Sequence, residues 1–171
     1  MLQLSATMLK REVLSLRTGS PIAEITAPII NPDNLKIEGF YCTEYSGNGQ
    51  TVLLYQDIRD VLPQGVVVND FDALSDPSEL VRLKKVLELD FDLIGKPVET
   101  ISNDKVGKVT DYAFDSATMY IQKIYVSQSI LKSLTGGNLS IDRNQIQEIT
   151  PKRVIINDLL QPTRAAAPAT A

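Results

Sequence analysis

Apolar and polar side chains alternate over short stretches of this chain, and turn residues separate the stretches. Residues 23–27 and 108–114 alternate as a strand half-buried on one face should. Each is followed by turn chemistry, Asn31-Pro32-Asp33-Asn34 and Asp115-Ser116-Ala117-Thr118, where short polar side chains bond nearby backbone and Pro fixes φ. Alternation resumes over 36–43 and 120–127, so 23–43 and 108–127 read as β-hairpins. A Gly-bearing connection follows in each case, Ser46-Gly47-Asn48-Gly49 and Gly136-Gly137-Asn138. Further short strands are predicted near 51–55, 66–69, 139–141 and 154–157. The pieces 57–62 and 144–150 have the apolar spacing of a single helical turn running into a strand.

The two runs are copies of one pattern. At an offset of 84 residues, Asn31 meets Asp115, Leu35 meets Met119, Ile37 meets Ile121, Phe40 meets Ile124 and Tyr41 meets Tyr125. Further on the offset is 88: Ile58 meets Ile146, Asp60 meets Glu148, Val61 meets Ile149 and Pro63 meets Pro151. There Val66-Val67-Val68-Asn69-Asp70 falls on Val154-Ile155-Ile156-Asn157-Asp158. One net insertion, placed in the loop 127–138, separates the registers. Many short strands with one apolar face predict a mainly β fold of two small tandem barrels, since closure removes exposed sheet edges. The expected units are 1–75 and 91–162, with a connector over 76–90 and a disordered Ala-rich tail over 163–171. In the connector, Asp76-Pro77-Ser78-Glu79 has a capping residue and Pro at the first helical position. Leu80, Leu83, Lys84 and Leu87 then recur at helical spacing, which predicts a helix over 77–87.

Composition narrows the chemistry. The 171 residues include no His, no Trp and one Cys. Imidazole-based nucleophile systems, His-ligated metals, internal disulfides and Cys-rich clusters are therefore excluded. The net charge is −4, distributed unevenly: residues 1–80 hold five basic and eleven acidic side chains, and residues 93–171 hold nine and seven. An acidic first half argues against general nucleic-acid binding. The N-terminal residues show no secretory pattern, no run is long enough to span a membrane, and a lone thiol suits a reducing compartment. The reading is cytoplasmic.

Candidate chemistry is sparse. Asp57 with Asp60 and Asp70 with Asp72 are the carboxylate pairs, but Asp57 maps to Gln145 and Asp60 to Glu148 in the repeat. Both pairs sit at turns, where Asp commonly bonds backbone. The Gly-bearing connections lack the Lys-Ser/Thr of a phosphate loop. Cys42 aligns with Val126 and reads as a core side chain. No catalytic residue, cofactor or metal ligand is expected. The remaining lead is the longer second loop, in which Ile130, Leu131 and Leu134 recur at helical spacing. Two readings stand: the turn plugs the end of its barrel, or it presents an apolar knob to a protein partner or a second copy.

The second unit reads Leu93-Ile94-Gly95-Lys96-Pro97-Val98, then Asn103-Asp104-Lys105-Val106-Gly107-Lys108-Val109-Thr110-Asp111, then Ile121-Gln122-Lys123-Ile124-Tyr125-Val126. It closes with Ile141-Asp142-Arg143-Asn144-Gln145-Ile146 and Val154-Ile155-Ile156. That order resembles the PRC-barrel domain, shared by the cytoplasmic part of the photosynthetic reaction-centre H subunit and the C-terminal domain of the ribosome-maturation factor RimM. The first unit resembles it through Val13-Leu14-Ser15-Leu16-Arg17-Thr18-Gly19, Ile37-Glu38-Gly39-Phe40 and Val66-Val67-Val68, but has Ala23 where the second has Gly107. The resemblance implies two PRC-like barrels joined by a short helix. It also implies a non-enzymatic adaptor that contacts protein partners, a second copy among them. An RNA- or ribosome-associated module and a small-ligand regulatory domain are the alternatives it leaves open.

Overall fold

The computed structural model describes residues 1–47, 49–128 and 137–158. The strands are β1 (Leu2–Leu4), β2 (Glu12–Ser15), β3 (Pro21–Asn31), β4 (Lys36–Glu44), β5 (Gln50–Leu54), β6 (Asp60–Leu62), β7 (Gly65–Val68) and β8 (Leu74–Ser75). After the connector come β9 (Pro97–Thr100), β10 (Lys105–Asp115), β11 (Ile121–Gln128), β12 (Asn138–Asp142), β13 (Ile146–Ile149) and β14 (Val154–Ile156). The hairpins lie where alternation places them. The 3-10 turns Tyr55–Asp57 and Arg143–Gln145 lead toward β6 and β13, which is the predicted helical turn followed by a strand.

Among the described residues the chain is mainly β, in two mixed sheets of seven strands. The first runs β6-β7-β2-β3-β4-β5-β8 and the second β13-β14-β9-β10-β11-β12, with β1 added to β10. Six strands thus follow the same order in both. The pairs β2/β7 and β9/β14 are parallel, and the others antiparallel. Among the described residues neither hydrogen-bonded path closes on itself.

The repeat extends to backbone irregularities. In β3/β4 the register shifts at Ile25/Ala27 and Ile29/Ile30; in β10/β11 it shifts at Val109/Asp111 and Ala113/Phe114, the matched positions. At the first bulge Thr26 Oγ1 donates to the Tyr41 carbonyl at 3.1 Å, and Thr110 Oγ1 to that of Tyr125 at 3.2 Å. Bulges bend a strand and increase its twist, so each long hairpin curves over its own apolar face. Residues with positive φ also fall in matched pairs: Lys10 with Gly95, Gly19 with Asn103, and Leu35 with Met119. The buried side chains of both halves form one connected cluster, from Met8, Val13 and Ile25 through Leu35 and Met119 to Ile141 and Ile156.

The connector differs from the predicted helix over 77–87. It is two 3-10 turns, Pro77–Glu79 and Val81–Leu83, followed by α1 (Lys84–Leu89). Asp76 caps as expected, accepting from the Ser78 N–H at 2.8 Å, but Leu80 leaves helical torsion at φ −85° and ψ 66°. A helix this short is held by packing rather than by propensity. Leu80, Leu83 and Leu87 are only half-buried, so contacts along the sheet decide the path. Residues 129–136, with Ile130, Leu131 and Leu134, and the tail from 159 lie outside the described residues. No described helix is long and apolar enough to cross a membrane.

Candidate functional site

The halves meet through their hairpin turns. The Ile37 N–H donates to the Met119 carbonyl at 2.8 Å, and the Ile121 N–H to that of Leu35 at 2.9 Å. These bonds are reciprocal under the 84-residue offset, which is the signature of an isologous, twofold contact within one chain. Lys36 and Tyr120, themselves matched, face each other as an antiparallel bridge at its centre. Around that bridge the side chains alternate aromatic and cationic. Lys36 Nζ lies 3.8 Å from the Tyr55 ring centre and 5.5 Å from that of Tyr120, and the Arg143 guanidinium lies 4.9 Å from Tyr120 on another approach. All are within cation–π range. The side-chain hydrogen bond with Tyr55 holds Lys36 above the ordinary lysine value. Arg143 also donates across the seam to the Asn34 carbonyl at 2.6 Å and the Leu35 carbonyl at 3.4 Å, and within its own half to that of Ile121 at 3.1 Å.

Elsewhere on the same contact the halves leave a cleft of about 700 Å³, lined by Thr26, Tyr41 and Gln50 from the first half, by Asp90 at the end of the connector, and by Phe91, Asp92 and Tyr112 from the second half. The apolar rim is formed by Leu9 and Ile94, a matched pair that stays 44% and 40% exposed. Asp92 Oδ1 accepts the Ile94 N–H at 2.9 Å, which fixes that carboxylate at the wall. Asp90 sits in left-handed conformation at the end of α1, φ 42°, turning the chain into the cleft. Burial, and then the negative charge of Asp90, raise the Tyr41 phenol. Burial, followed by Asp92 and Asp111, pushes Tyr112 up further. Both phenols therefore stay neutral donors over the physiological range. Of the rings, Tyr112 is buried behind the wall and Phe91 already has Lys96 Nζ 4.7 Å from its centre, so the half-buried Tyr41 and the two carboxylates are the part of the wall suited to an ammonium or guanidinium group.

From the carboxylate pairs read in the sequence, Asp60 and Asp70 are engaged in local structure instead. Asp60 Oδ1 accepts its neighbour Val61 N–H at 2.8 Å. Asp70 accepts from Ser15 Oγ and Arg17 Nη1, both at 3.0 Å. Cys42 is fully buried, and burial pushes its thiol up to about 12. Among the described residues no group of three or more His, Cys, Asp or Glu could hold a metal ion. Sequence reasoning missed both the stack and the cleft. A signal for the stack was present: Lys36 maps onto Tyr120 and Tyr55 onto Arg143, a cation and an aromatic exchanged at two matched positions. No known family model matches the chain, and no curated protein matches it significantly.

Proposed function

We propose that this chain is a non-enzymatic adaptor, built from two units of PRC-barrel type, that binds a protein partner in the cleft between its halves. The observation that carries this reading is the wall of that cleft, where Asp90 and Asp92 stand beside Tyr41, Phe91 and Tyr112. The occupant that fits is a Lys- or Arg-bearing segment, its charge between the carboxylates and its stem along Tyr41 and the Leu9–Ile94 rim. The acidic excess of residues 1–80 favours approach of such a segment. The resemblance of both units to a family of protein- and ribosome-contacting modules supports a contact role.

The volume of the cleft lies inside the usual range for small-molecule sites, so a free organic cation is the second reading. Titrating the full chain with a short Arg-containing peptide, the same peptide with Glu for Arg, and arginine amide separates the cases by NMR. The adaptor reading expects the basic peptide alone to shift Tyr41, Phe91 and Tyr112 resonances saturably, and the double variant Asp90→Asn/Asp92→Asn to abolish the effect. Equal shifts from arginine amide favour the small-ligand reading. Shifts elsewhere, or equal response to the Glu peptide, overturn both.

A further inference from the structure

The contact between the halves is built as an interface between separate molecules would be. Besides the reciprocal hairpin bonds, each half sends its leading segment onto the long strand of the other. Leu2–Leu4 pairs with β10, Leu2 opposite Asp115 and Leu4 opposite Ala113, and Ser5 Oγ donates to Asp111. At the matched place in the second half, α1 lies against β3 of the first. Neither crossing uses the peptide stretch between Glu79 and Leu83, where Val81 is 79% exposed.

The interface is not symmetric in charge. In a strict twofold contact residue i meets j and j meets i, and only a residue on the axis, the place the Lys36–Tyr120 bridge holds here, meets its own copy. Two first halves would therefore set Lys36 against Lys36, and neither would bring the Arg143 guanidinium to the Asn34 and Leu35 carbonyls. In the observed pairing Lys36 meets Tyr120 instead, and Arg143 reaches those carbonyls. A like-charge contact at the centre disfavours the wrong pairing, and the alternating stack favours the right one.

We infer that this seam is a recognition surface for a second copy of the chain, in which the first half of one molecule docks with the second half of another and never with another first half. Association needs no covalent connector, because every bond described above lies outside 79–83. Exchange between copies follows whenever the connector opens, and it produces closed crosswise pairs rather than open chains.

The test uses the full chain with a specific protease site inserted at Val81, purified folded and then cut. The two fragments are expected to elute together as one species. After mixing with a 15N-labelled cut sample, native mass spectrometry is expected to show label-scrambled first-half/second-half pairs and no first-half/first-half pairs. Tyr120→Lys, which places a lysine opposite Lys36, is expected to weaken the cut pair about tenfold or more. Arg143→Gln, which keeps an amide donor, weakens it less. Separation of the fragments, aggregation on cutting, or pairs of two first halves would each overturn the inference.

Discussion

The carboxylates of Asp70 and Asp158 close the same turn in the two halves. Asp70 accepts from Ser15 Oγ and Arg17; Asp158 accepts from the Ser102 N–H at 3.2 Å and from Ser102 Oγ at 2.7 Å. Ser15 and Thr100, the matched residues at the ends of β2 and β9, are the buried polar side chains beneath them. The Asn-Asp that ends each repeat is thus a clasp between the last strand of a unit and its first turn.

That clasp contributes to an acid limb, beside Asp115, which the N-terminal ammonium holds down to about 2, and Asp76, which Ser78 holds down. Hydrogen bonds hold both clasp carboxyls below the ordinary aspartate value, from the Phe71 N–H first for Asp70 and from the Ser102 side chain first for Asp158. A depressed folded-state value contributes stability above the unfolded value of about 3.9, and the contribution is lost as pH falls through the folded one. Urea midpoints of the wild type are expected to fall between about pH 4 and pH 2. The double variant Asp70→Asn/Asp158→Asn should start lower at neutral pH and show a flatter acid limb. An unchanged limb would remove the clasp as one of its sources.

Gly107 is required by close approach. A Cβ there would sit 1.8 Å from the Ser127 carbonyl oxygen, although Gly107 has no positive φ. Its counterpart Ala23 buries its methyl completely opposite Glu44. Gly107→Ala is expected to destabilise by about 3 kcal/mol through forced backbone movement. Ala23→Gly should cost about 1 kcal/mol, from a lost methyl and a looser unfolded chain. Equilibrium urea unfolding of the two variants checks the asymmetry.

Lys10 and Gly95 share a left-handed turn, φ 62° and 81°, and each donates its N–H to the bulged long strand, to Ile25 and Val109. At Lys10 the left-handed torsion costs about 1 kcal/mol, which roughly offsets the entropy a glycine would lose on folding. Lys10→Gly is therefore expected to be near neutral. Gly95→Ala, with open space around its Cβ but the wrong torsion, should lose about 1 kcal/mol. Thermal melts distinguish the two; equal losses would mean that torsion does not govern the turn.

Cys42 should be chemically silent in the native state. It is fully buried, its thiol is raised to about 12 by desolvation, and Sγ contacts the Phe40 carbonyl at 3.7 Å. Reaction with an aromatic disulfide reagent at mildly alkaline pH is expected only at the rate of opening of β4, and at once in denaturant. Immediate labelling of the folded protein would contradict the burial.

Much of this was legible in the chain because it is encoded locally. Alternation at 23–27 and 108–114 specifies which face is buried, Asn31-Pro32 and Asp115-Ser116 specify where the strand reverses, and the valines at 66–68 specify a further short strand. The connector was misread for the opposite reason. Its leucines have helical spacing, yet in so short a segment propensity is weak beside contact with the sheet, and Leu80 breaks the helix. The cleft could not be seen at all: Tyr41, Asp90 and Tyr112 carry no shared spacing, and only packing of the halves brings them to one wall.

By itself, then, the chain determined the two hairpins and most of the later strands, their turns and the internal duplication, since each depends on the side-chain pattern of a few consecutive residues, whereas β1, β2, β8 and β9 carry no such local pattern. Tertiary structure alone decided that Lys36 faces Tyr120, that Leu2–Leu4 crosses onto β10, and that a carboxylate-lined cleft opens beside the seam. Those are contacts between segments tens of residues apart. They follow from how two curved sheets fit together, a matter of shape and charge complementarity that no local periodicity records.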